Sequence, residues 1–227
     1  MTQSSYLSAV RERVVIFDGA SGTWLQAHEL GPDDFGGEAL EGCNEILCDT
    51  RPELISQMHR EYLEAGADVI ETNSFGAFGV PLAEYDMPER AHELSLKSAQ
   101  LARAAADEFS TPEKPRWVGG SMGPGTKFAT LGNISYEDLR ASYYPSALGL
   151  LEGGVDLFVI ETQFDLLGAK AAMAACRDAM AEVGREVPIQ VQVTIELTGR
   201  MLPGTEISAA LVALDAMGPD VIGINCA

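Results

Sequence analysis

Carboxylates, hydroxyls, amides and one thiol recur at one kind of place in this chain, the last residues of short apolar runs. Asp18 closes the run 14–18, Glu71-Thr72-Asn73 the run starting at 68, and Ser121 the run 117–121. Glu161-Thr162-Gln163 close the run starting at 156, Glu196 follows the run 189–195, and Asn225-Cys226 close the run starting at 221. Side chains of these types bind ammonium groups, carry protons or, as a thiolate, hold a metal or attack carbon. Burying an unpaired carboxylate is costly, so Glu71 and Glu161 should each have a partner or face solvent. For Glu71 a salt bridge inside the fold and a functional role are both open. For Glu161 the polar neighbours Thr162 and Gln163 favour function.

Other residues carry less. Asp18-Gly19-Ala20-Ser21-Gly22-Thr23 follows a strand but lacks the spacing and the lysine of a phosphate loop. It is either a plain strand-to-helix turn or a polar lip, with Asp18 binding an ammonium group and backbone N–H groups a carboxylate. Cys43 and Cys48 lack the spacing of a zinc knuckle and read as ordinary thiols. Cys176 sits in an alanine-rich run and reads as core. His28, His59 and His92 fall away from the strand ends, which argues against a histidine dyad or a histidine-rich metal site.

These residues need elements to position them. Runs 14–18, 68–72, 117–121, 156–162, 189–195 and 221–226 are rich in Val and Ile without clean alternation, as parallel strands covered on both faces are. Helices are expected between them, from Pro52 to the stop at Gly66, over 88–109, from a Ser135/Asp138 capping box to Gly153, over 166–183 and over 206–217. Pro145 should kink the third of these or split it. Gly66-Ala67-Asp68, Gly154-Val155-Asp156 and Gly218-Pro219-Asp220 repeat one joint that stops a helix and launches a strand. Alternating elements of this kind imply parallel βαβ units, in a doubly wound sheet or a (β/α)8 barrel. In a barrel the polar strand ends converge on one mouth. No linker or composition shift divides the chain, so one domain is expected over 1–227.

Composition narrows the setting. The 227 residues carry 15 Lys and Arg against 34 Asp and Glu, a formal charge of −19. Such a field repels nucleic acid and anionic lipid, so neither is expected as a partner. No run is long enough to span a membrane, and residues 1–13 lack the apolar stretch of a signal peptide. Four cysteines without a secretion signal point to reduced thiols or metal ligands, and to a cytoplasmic location.

Several segments, taken in order, resemble the homocysteine S-methyltransferase family. They are Phe17-Asp18-Gly19-Ala20-Ser21-Gly22-Thr23, Gly42-Cys43-Asn44-Glu45, Glu71-Thr72-Asn73-Ser74-Phe75, Gly120-Ser121-Met122-Gly123-Pro124, Glu161-Thr162 and Gly223-Ile224-Asn225-Cys226. Arg51-Pro52-Glu53-Leu54-Ile55 and the stretch from Gly123 to Leu139 look most like the N-terminal homocysteine-binding domain of the cobalamin-dependent methionine synthases. The resemblance implies a (β/α)8 barrel that binds zinc through three cysteines and activates homocysteine as a methyl acceptor. Cys226 would be the first ligand, with an adjacent Cys-Cys pair expected beyond Ala227. Asp18 and Glu161 would grip the substrate ammonium, and backbone N–H groups at Gly19 and Ala20, with Thr72 and Ser121 nearby, its carboxylate. The donor would be methylcobalamin, recharged from methyltetrahydrofolate, with folate- and cobalamin-binding domains elsewhere in a longer protein. Six of eight βα units can be drawn, so a C-terminally incomplete barrel is expected, inactive by itself. A sulfonium- or betaine-dependent homocysteine methyltransferase, a silent assembly module and a pterin-binding barrel are the alternatives.

Overall fold

Five parallel strands lie side by side in the order in which the chain visits them. The computed structural model describes residues 5–226; residues 1–4, part of the stretch read as lacking a leader, and residue 227 lie outside it. The chain opens with helices α1 (Ser5–Glu12) and α2 (Ser21–Gln26), a single turn α3 (Leu47–Thr50) and α4 (Pro52–Ala65). Strand β1 (Val69–Glu71), the turn α5 (Gly79–Leu82), α6 (Ala91–Phe109), β2 (Trp117–Met122) and α7 (Tyr136–Glu152) follow. The remainder is β3 (Leu157–Gln163), α8 (Leu166–Val183), β4 (Ile189–Val193), α9 (Ile207–Asp215) and β5 (Val221–Ile224).

The strand order decides between the two architectures. A doubly wound sheet reverses direction at a switch point, and this sheet, with order β1-β2-β3-β4-β5, does not. It is a partial (β/α) barrel. The expected first strand, 14–18, is reduced to a parallel bridge between Phe17 and Val69. It pairs on one side only among the described residues, and Val14 and Ile16 are exposed.

Side-chain parity divides the core. Val69, Trp117, Leu157 and Val159 point to one side and pack with Tyr6 of α1. Ile70, Val118, Phe158, Ile160 and Val191 point to the other and pack under the helices. The first set is the barrel interior, closed at one end by α1, where Tyr6 also donates to Gln190 Oε1 at 2.7 Å.

The recurrent joint has a common structure. At Gly66, Gly154 and Gly218 the backbone turns left-handed, with φ of 115°, 95° and 64°, as glycine alone does cheaply. The aspartate two residues on then exchanges two hydrogen bonds with one residue of the neighbouring strand. Asp68 N donates to Ile16 O at 2.7 Å and its Oδ2 accepts from Ile16 N at 2.9 Å. Asp156 does the same with Val118, at 2.7 and 2.8 Å, and Asp220 with Ile189, at 2.9 Å for both bonds.

Helix α7 begins as expected, with Ser135 Oγ accepting from Asp138 N at 3.0 Å. It runs as one helix through Pro145, so of the kink or division expected there the division does not occur. Packing overrides the lost hydrogen bond. Gly149 and Gly153 let α7 lie so close to α6 that an added Cβ would sit 2.4 Å from His92 O or from Ala99 Cβ.

Candidate functional site

Parity along β1, β2 and β3 sends Glu71, Ser121 and Glu161 to the interior side, one level above the apolar plug. Hydrogen bonds then link the strand ends across the sheet. Asp18 Oδ2 accepts from Glu71 N at 2.9 Å. Thr72 Oγ1 accepts from Ser121 N at 2.9 Å, and Ser121 Oγ donates to Glu161 Oε1 at 2.7 Å. Asn225, past the end of β5, donates from Nδ2 to Glu161 Oε2 at 3.1 Å. The polar ends from the first strand to the last therefore meet at one mouth.

Three carboxylates converge there without a counter-ion. No Lys, Arg or His pairs with Asp18, Glu71 or Glu161 among the described residues. Burial pushes Asp18 up to about 7, against the N–H groups of Glu71 and of its own backbone, and the Glu161 charge adds to the rise. Burial, then Glu161, Asp18 and Cys226, raises Glu71 well above the carboxylate range. Burial also raises Glu161, opposed by hydrogen bonds from Ser121, Thr162 and Asn225. Asp18 Oδ1 is buried with no hydrogen-bond partner. Among the described residues, the salt bridge left open for Glu71 is not formed.

Cys226 lies on the same rim, exposed and free. Thr162 Oγ1 and Asn225 Nδ2 approach its sulfur at 3.4 and 3.5 Å, so the sulfur is held in place on the rim by two polar neighbours. Cys226 therefore suits zinc as one ligand. Among the described residues no group of three His, Cys, Asp or Glu is placed to hold a metal.

The lip is shaped by a residue that the sequence did not single out for the site. Tyr62 of α4 donates to Ala20 O at 3.1 Å, and its ring lies where a Cβ on Gly19 would approach within 2.8 Å. Ala20 caps α2 without a side-chain bond, which leaves the first amides of that helix unclaimed by a cap.

Some strand-end residues do not join the site. Asn73 turns away and donates to Asn44 O at 2.7 Å and to Cys48 Sγ at 3.5 Å. Glu196 lies in an exposed turn, because β4 ends at Val193, and Thr194 takes its place by donating to Asn225 O at 3.1 Å. Thr72 and Ser121 are present, but Thr72 Oγ1 lies 2.6 Å from Ser74 Oγ and Ser121 Oγ is engaged by Glu161. Cys43, Cys48 and Cys176 are buried away from the rim thiol, and His59 is buried on α4 with neither ring nitrogen bonded. Glu45, quoted only as part of a motif, accepts from Gly76 N at 2.7 Å and so ties the segment around Cys43 to the loop after β1.

A sequence model of the family described as homocysteine S-methyltransferase matches residues 15–227. The methionine synthase of Mycobacterium leprae is 51% identical over 221 residues, which is 97% of this chain and 18% of that protein. The methionine synthase of Mycobacterium tuberculosis is 50% identical over the same shares. The chain thus spans about a fifth of the length of these relatives. Among solved structures, the metallated form of the Escherichia coli homocysteine methyltransferase MmuM is similar with a TM-score of 0.75 and 25% identity, over 96% of this chain and 76% of that one.

Proposed function

The chain belongs to the homocysteine S-methyltransferase family, and on that premise we propose that its rim binds L-homocysteine and presents the sulfur as a thiolate methyl acceptor, giving methionine. One observation carries the reading: three converging carboxylates with no cation among the described residues, one of them with a buried unbonded oxygen. A site built this way takes its positive charge from a ligand, and the α-ammonium of an amino acid supplies it. Asp18 and Glu161 hold that ammonium. The N–H groups at Gly19 and Ala20, set by Tyr62, hold the carboxylate, and Thr72 and Ser121 contribute through the hydrogen bonds they already make.

The substrate sulfur then points toward Cys226. Zinc at the Cys226 sulfur, completed by cysteines of a longer protein beyond Ala227, would keep the homocysteine sulfur ionised near neutral pH. The protein's own part is to orient the substrate and to keep the Cys226 sulfur solvated by Thr162 and Asn225. The donor in this reading is methylcobalamin, carried by another domain of a longer protein and recharged from methyltetrahydrofolate. The identity to two methionine synthases, of which the chain spans 18%, supports it. A cytoplasmic setting suits the four free cysteines.

Calorimetry on the full-length, zinc-loaded protein tests the reading with L-homocysteine and with 4-mercaptobutanoate, which has the thiol and carboxylate but no ammonium. The amino acid should bind at least 100-fold more tightly. Equal affinity for the two would remove the role assigned to the carboxylates.

A further inference from the structure

Between Glu161 and Cys226 stands one amide. Asn225 Oδ1 accepts from Thr162 N at 2.8 Å. Its Nδ2 faces Thr162 Oγ1 at 2.9 Å, Glu161 Oε2 at 3.1 Å and Cys226 Sγ at 3.5 Å. The Thr162 hydroxyl is placed in the same way, 3.5 Å from Glu161 Oε2 and 3.4 Å from Cys226 Sγ. An amide nitrogen has two hydrogens and a hydroxyl one. With Thr162 Oγ1 taking one amide hydrogen, the second amide hydrogen and the hydroxyl hydrogen remain for the carboxylate and the sulfur. No other described residue's side chain hydrogen-bonds to both of those groups.

The backbone is distorted to build this contact. Thr162 and Cys226 both have left-handed φ, 56° and 53°. A β-branched residue rarely adopts that conformation, and the cost is tolerated where surrounding contacts impose it, commonly at functional sites. The register between β3 and β4 also shifts between Ile160 and Gln163. A regular strand would turn the Thr162 side chain to the face opposite Glu161. The shift brings both to the mouth.

We propose that Asn225 and Thr162 are positioning residues that lock the carboxylate of Glu161 to the sulfur of Cys226, so that the ammonium end and the sulfur end of one substrate molecule are held at a set distance. The proposal rests on the homocysteine reading and deepens it. Its consequence is coupling: damage to the link weakens the metal ligand and the amino-acid grip together.

The test uses the full-length protein and two binding readouts, zinc affinity by competition with a chromophoric chelator and homocysteine affinity by calorimetry. Thr162→Val keeps the branched shape without the hydroxyl, Thr162→Ser keeps the hydroxyl, and Asn225→Ala removes the amide. Thr162→Val and Asn225→Ala should each weaken zinc and homocysteine binding by tenfold or more, and Thr162→Ser should stay within about threefold of wild type for both. Glu161→Gln should weaken homocysteine alone. Should Asn225→Ala fail to fold by circular dichroism, the Val and Ser pair at 162 decides. Wild-type zinc affinity in Thr162→Val overturns the link, as does a Thr162→Ser protein as damaged as Thr162→Val. A wild-type protein that binds zinc but no homocysteine overturns the underlying reading instead.

Discussion

The two ends of the barrel strands carry carboxylates in opposite states. At the entry ends, Asp68, Asp156 and Asp220 each close a two-bond ring with the neighbouring strand. Arg13 holds Asp68 with two bonds, at 2.7 and 3.0 Å, and Arg103 holds Asp156 at 2.7 Å. Burial pushes Asp68 upward, but Arg13 and the Ile16 N–H outweigh it and its pKa lies below the usual value. At the exit ends Asp18, Glu71 and Glu161 have no cation among the described residues and are all raised. One set of acids is spent on joining strands, and the other is left expecting a ligand. In barrels of this class the first end reads as stability and the second as chemistry.

Exchanging charge for an amide separates the two ends most sharply. Asp18→Asn and Glu161→Gln should each weaken homocysteine binding by about 100-fold or more, with an unfolding midpoint no lower than wild type. Calorimetry paired with thermal denaturation checks this; a loss of stability without a loss of affinity would place these residues with the entry-end acids.

The converse holds for Asp68, which is 4% exposed. Asp68→Ala leaves the Ile16 N–H and the Arg13 guanidinium without their partner and should cost about 3 kcal/mol in urea unfolding. Homocysteine affinity of the folded protein should not move. A cost under about 1 kcal/mol would mean that the ring is incidental.

Acid should act on Asp18 and on the buried His59 with opposite sign. Asp18 gains its proton at about 7 in the folded protein, against an ordinary value of 3.8, so the fold binds more protons between those values. Its contribution favours folding in acid and is lost as pH rises through 7. At pH 8, Asp18→Asn should therefore be more stable than wild type, by an amount on the order of 1–3 kcal/mol. His59 works against this signal. Burial holds it down at about 4, against 6.5, so its contribution is lost as pH falls from 6.5 towards 4. In a His59→Leu background the acid limb should flatten by an amount on the order of 3 kcal/mol. Urea titrations between pH 4 and 8 measure both, and an unchanged acid limb in His59→Leu would show that the imidazole is not the group responsible.

The smallest effects grade the entry-end acids among themselves. Asp156→Asn keeps the Val118 bond but loses the ionic part of the Arg103 contact, for about 1 kcal/mol. Asp220 is exposed and has no arginine partner among the described residues, so Asp220→Asn should cost under about 0.5 kcal/mol. Equal costs at both positions would argue that the ring alone, and not the arginine, stabilises these joints.

Much of the barrel is legible in the sequence. Helix α8 lies at 166–183 as expected, Ser135 caps α7, and all three Gly-x-Asp joints fall where helices stop and strands start. The site was half legible. Asp18, Ser121, Glu161 and Cys226 share one mouth as their strand-end positions suggested. Asn73 and Asn225 occupy like positions in the sequence, and only one of them faces that mouth. Tyr62 read as one more apolar residue on a helix stripe, because the lip it presses on lies 42 residues away.

The sequence alone determined the alternation of the main helices and strands, the caps and glycine stops of several of them and the excess of acid at the strand termini, since caps, glycine turns and apolar periodicity act within a few residues. Only the tertiary structure decided which acids are paired and which face one another unpaired. Those outcomes depend on register and twist between strands tens of residues apart, down to a single shift in β3 that brings Thr162 to the side of Glu161. Hydrogen bonds that span 63 or 64 residues have no local signature.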